Sequence, residues 1–138
     1  MKRRHSIVIA ALVLGSMTAY SQATDNVGIK ESLQVAMERE QLSTSLMQLR
    51  DSIVQSVQHL EARKPGMVAK AKRPVDKALK DLHVYQKRVQ KDLDELVAAS
   101  KKGWNTDVAT RLRASLNNVR REHNRIRQDL QSVLTSQS

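Results

Sequence analysis

The sequence predicts an all-α protein: an antiparallel three-helix, up-down-up bundle of long helices that follows a cleaved signal peptide. Three observations predict it. After the first 23 residues, glycine occurs only at positions 28, 66 and 103 and proline only at 65 and 74, so the breaks fall at the start and at two junctions. Between those breaks, apolar residues recur at steps of three and four, the spacing of one helix face. Phenylalanine is absent and aromatic residues make up 2% of the chain, so the core must be built from Leu, Val and Ile.

The opening MKRRHSIVIAALVLGSMTAYSQA carries a basic segment (Lys2, Arg3, Arg4), an apolar segment (Ile7 to Leu14) and a small-x-small cleavage signal at Ser21-Gln22-Ala23. Its apolar run stops at Gly15-Ser16, short of the roughly 20 residues a spanning helix needs. Residues 1–23 are therefore expected to be a secretory signal peptide and residues 24–138 a single helical domain, exported to a bacterial periplasm. The chain has no cysteine, which rules out disulfides, thiol catalysis and zinc–thiolate sites.

The first helix is expected from about Ile29 to Glu61, with Asp25 or Asn26 in its cap region. Its stripe is Leu42, Leu46, Leu49, Ile53, Val57 and Leu60. The earlier apolar set Ile29, Leu33, Ala36 and Met37 is out of phase across Glu38-Arg39-Glu40-Gln41. A stutter in one continuous helix explains this, and a hidden turn near Gln41 would give four helices instead. With no Gly or Pro in the run, the stutter is the reading adopted.

The second helix is expected to start at Pro74, where a missing amide is harmless. Its stripe is Val75, Leu79, Leu82, Tyr85, Val89, Leu93 and Leu96, and Gly103 ends it as a left-handed residue after Lys101 and Lys102. Asn105 or Thr106 caps the third helix, whose stripe is Val108, Leu112, Leu116, Val119, His123, Ile126, Leu130 and Val133. One stripe per helix demands partners, and short connections make neighbours antiparallel.

The formal charge is +10, and about +7 remains without Lys2, Arg3 and Arg4. The first helix is net acidic. Arg73, Lys77, Lys80, Lys87 and Lys91 recur on the second helix away from its apolar stripe, and Arg113, Arg120 and Arg127 are spaced by sevens on the third. Such rows are either a solvated face or a docking surface for an anionic partner. In an envelope the anionic partners are acidic protein segments, lipid headgroups, lipopolysaccharide phosphates and wall polymers, with peripheral membrane contact included. Nucleic acid is disfavoured, since the rows carry no interleaved aromatics and no reading module is present.

Of the exported residues His59, His83 and His123, no two have metal-ligand spacing, and no Ser-His-Asp pattern or glycine-rich phosphate loop is present. Asp92, Asp94 and Glu95 cluster late in the second helix, where they are expected to face water. No enzyme, no metal and no cofactor is expected.

His123 is the residue that invites another reading. The segment KKGWNTDVATRLRASLNNVRREHNRIR, through Gly103 and His123, resembles the final loop and helix of the four-helix-bundle cytochromes b. That resemblance implies haem b as cofactor and an electron-carrier role, with His123 and a methionine, Met37 or Met47, as ligands. It covers under a third of the exported chain and departs in helix number, since that family brings its Met and His together with four helices. In a three-helix path, Met47 and His123 stand at about 27 Å from the same end, with Tyr85 in the same layer. The competing reading makes His123 a core residue sharing a hydrogen bond with Tyr85.

The function expected is that of a non-enzymatic, exported helical bundle whose basic faces bind an acidic protein or an anionic envelope surface, in a chaperone-like or envelope-accessory role. In size, charge and address the chain is similar to small periplasmic holdase chaperones, although the Leu-Thr-x-x-Gln signature of one group of these is absent. Three stripes with so few aromatics leave room for a homodimer or a partner helix.

Overall fold

The computed structural model describes residues 27–136, all of whose regular elements are helical. Helix α1 runs Val27–Arg63, α2 Ala69–Lys102 and α3 Thr106–Thr135, with a 3-10 turn at Lys64–Gly66. The signal segment and the expected cap at Asp25 or Asn26 lie outside the described residues. Two compact units divide at Met37 and Glu38, and the three-helix bundle belongs to the second, Glu38–Ser138. Helix α1 has no break at Gln41, so the shift in its apolar phase is accommodated within one helix.

All six stripe residues from Leu42 to Leu60 are buried. Seven large side chains are sealed completely: Leu46 and Ile53 from α1, Val75, Leu82 and Val89 from α2, and Leu112 and Val119 from α3. Each helix thus contributes to a common centre, and each such side chain stabilises the fold by roughly 1.5–3 kcal/mol relative to exposure. Helices α2 and α3 are the close pair, with Cα atoms within 8 Å of one another. Small buried residues occur on both, Ala71 and Ala78 on α2 and Ala109 and Ser115 on α3, and such residues permit a short interhelical distance.

Helix α2 starts five residues before Pro74, which sits inside the helix. Only the first four amides of a helix lack an intrahelical partner, so Pro74, the sixth residue, forgoes one hydrogen bond, while Ala71 N–H and Lys72 N–H both find the Val68 carbonyl, at 3.0 and 3.2 Å. The added turn buries Ala71, and Met67 closes the corner just before it. Gaining that apolar burial outweighs the one amide that Pro74 cannot supply.

Gly103 has φ +136°, a region that costs other residues strain, and its N–H closes the last turn of α2 on the Ala99 carbonyl at 2.8 Å. Two residues later, Asn105 Oδ1 accepts from the Val108 amide at 2.9 Å and starts α3.

Candidate functional site

Four features compete for a functional role: the buried pair around His123, a second buried pair at Asp92, the exposed cations, and a groove between α1 and α3.

His123 is 3% exposed, and its Nε2 lies 2.9 Å from Ser56 Oγ on α1. Burial, with a smaller contribution from Arg127, pushes its pKa below 6.5, which favours the neutral ring. Ser56 therefore replaces Tyr85 as the partner expected from the sequence. Tyr85 is half-buried and packs against the core. Equal heights for Met47 and His123 require the first and third helices to start level. Instead the layer of His123 meets α1 at Ser56, nine residues beyond Met47 and so about 13 Å along the axis.

Met47 is exposed, and Met37 belongs to the other compact unit. The ring nitrogen a haem iron would take is occupied by Ser56, and Met47 is not brought to it. A serine hydroxyl on an imidazole nitrogen is also the first contact of a nucleophile and its base. Among the described residues no carboxylate holds the other ring nitrogen, and the backbone amides around the pair are bonded within helices. The pair satisfies two polar groups that join α1 to α3.

Asp92 does not face water as expected. It is buried between α2 and α3, where Ser115 Oγ donates to its Oδ2 at 2.5 Å. Desolvation raises its pKa above the ordinary 3.8, against the lowering effects of the Ser115 hydrogen bond and Arg88. Arg88 reaches Asn118 Oδ1 at 3.3 Å, and Arg111 pairs with Glu95, so polar contacts line this seam. The apolar stripe concealed this because Asp92 adjoins it in sequence, next to Leu93, and a helix face wider than the stripe is covered by the close α2–α3 contact.

All eight cations singled out from the sequence are exposed. Lys77 is paired with Asp81 at 2.8 Å, and Arg113 with Glu38. Among the described residues, Arg73, Lys80, Lys87, Lys91, Arg120 and Arg127 have no carboxylate partner.

The groove was not read from the sequence. It has a volume of about 720 Å³, within the roughly 300–1,000 Å³ typical of ligand sites. Ser56, His59 and Arg63, three and four residues apart, form its α1 wall. Asn124, Arg127, Gln128 and Gln131 form its α3 wall, and Leu82 reaches its floor from α2. Among the described residues no Asp or Glu lines it. A signal was present in the sequence: Asn124, Gln128 and Gln131 recur at helical spacing beside the stripe, but polar residues there read equally as a solvated flank.

Among the described residues no helix is long and apolar enough to cross a membrane. No family model, curated protein or solved structure matches the chain.

Proposed function

We propose that the chain is an exported, non-enzymatic helical bundle that binds an acidic protein or an anionic envelope surface through basic faces on α2 and α3, in a chaperone-like or accessory role. The observation that carries this reading is the set of exposed cations without carboxylate partners among the described residues, Arg73, Lys80, Lys87, Lys91, Arg120 and Arg127. A solvated face needs no such imbalance: Lys77 and Arg113 have carboxylate partners, whereas these six leave their charge to an external one. Export rests on the leader-like segment at residues 1–23.

The bundle takes an up-down-up path in this reading. Glu95 with Arg111, Asp92 with Ser115 and Arg88 with Asn118 support an antiparallel α2 and α3, since one number falls as the other rises. Lys64 with Asp76 and Glu61 with His83 support the same sense for α1 and α2. A non-enzymatic role is supported by a buried His123 whose burial favours the neutral ring and which has no orienting carboxylate among the described residues.

The test is charge reversal at Lys80, Lys87 and Lys91 together, which leaves the Lys77–Asp81 pair in place. Binding of the wild type and the triple Glu variant to poly-glutamate and to phosphatidylglycerol vesicles is compared at low salt. The variant is expected to lose at least about tenfold in affinity for one of these probes. Equal binding by both proteins would refute the role of the basic face.

A further inference from the structure

We infer that the groove between α1 and α3 is a docking site for a short, extended, acidic peptide segment of a partner protein. The inference deepens the proposed function by giving the partner a place to bind, and it rests on that reading for the partner's acidic character.

Charge complementarity is the first argument. Arg63 and Arg127 stand on opposite walls, both exposed and both without a carboxylate partner among the described residues, and no acidic side chain lines the space between them. Guanidinium groups favour carboxylates through paired N–H donors. A chain lying between the walls meets positive charge on both sides.

The second argument decides between a peptide and an acyl chain. The apolar floor is already used by the bundle itself: Leu60, Leu82, Ile126 and Leu130 are between 0% and 7% exposed. Apolar surface stays accessible beside them, as at the half-buried Leu134, but it shares the lining with polar side chains, whereas an acyl chain's affinity depends on continuous apolar cover. The polar part of the accessible lining includes the amides of Asn124, Gln128 and Gln131. Primary amides both donate and accept, matching the N–H and C=O groups that alternate along an extended backbone.

Length is the third. Along α3 the groove runs from Asn124 to Thr135, twelve residues spanning about 16 Å of helix. At about 3.3 Å per residue, that accommodates roughly five residues of extended chain. Carboxylates at its two flanks would reach Arg63 and Arg127, with amide contacts between them. The exposed row on α2 would then speed encounter, while the groove holds the segment.

The experiment titrates a fluorescein-labelled hexaglutamate peptide against the wild type, the groove variant Arg63→Ala/Gln128→Ala, and the face variant Lys80→Glu/Lys87→Glu/Lys91→Glu. Circular dichroism confirms that both variants remain helical. The groove variant is expected to bind about tenfold or more weakly through faster dissociation, and the face variant to lose mainly association rate. Nuclear magnetic resonance of the wild-type protein with the same peptide is expected to shift the Leu130 and Leu134 methyl signals, and gives a readout that needs no substitution. If the groove variant binds like the wild type while the face variant fails, the inference is overturned and the proposed function stands. If the face variant binds like the wild type while the groove variant fails, the inference stands and the basic-face reading falls. Shifts of those methyls by laurate but not by the peptide would also overturn it.

Discussion

The Ser56–His123 contact places a titratable residue in the core, and its stability cost is readable by pH. The folded ring has a pKa below its ordinary 6.5, so below that value the unfolded chain takes up a proton that the folded one resists. Stability from this residue is present above pH 6.5 and is lost as pH falls through the lower folded value. His123→Leu is expected to flatten that acid limb in thermal melts recorded as a function of pH, and an unchanged limb would assign it elsewhere. Ser56→Ala leaves the ring nitrogen without its partner and is expected to cost about 1–2 kcal/mol in urea unfolding, most of it recovered when His123→Leu is added. Asp92 behaves in the opposite sense. Its folded pKa is raised, so its contribution is present below pH 3.8 and is lost as pH rises through the folded value. Asp92→Asn can still bond Ser115 and is expected to leave stability at pH 7 equal or higher, by up to about 1 kcal/mol, as measured by urea unfolding.

The helices themselves were largely legible from spacing. Every member of the α1 stripe from Leu42 to Leu60 is buried, and the Gly103 and Asn105 signals mark the α2–α3 junction. Gly103→Ala is expected to destabilise the bundle by about 1 kcal/mol or more, because its φ of +136° strains a residue with a Cβ. A melt at the wild-type temperature would contradict that assignment. The start of α2 was misjudged because Pro74 was treated as an initiator, whereas the burial of Met67 and Ala71 fixes the corner. No local rule carries that information, since it depends on what those two residues meet once the helices are packed.

At the scale of the whole bundle, the exposed cations could be placed from the sequence because a helix face opposite an apolar stripe is necessarily outward. Their partners could not: Lys77 with Asp81 is a local pair, but Arg113 with Glu38 joins residues 75 positions apart. The groove was illegible for the same reason, since its walls come from two helices whose register is set by packing. Equal starting heights were the wrong assumption for α1 and α3, and that error also produced the Met47–His123 pairing. A molecule with unpaired charge along two helices should have long-range, screenable affinity for an anion. The most direct measurement is binding of the wild-type protein to poly-glutamate as salt rises from about 0.1 M to about 1 M, over which the screening length falls from about 10 Å to about 3 Å. The account predicts tight binding at the low end that is lost by the high end; no binding at low salt, or binding indifferent to salt, would contradict it.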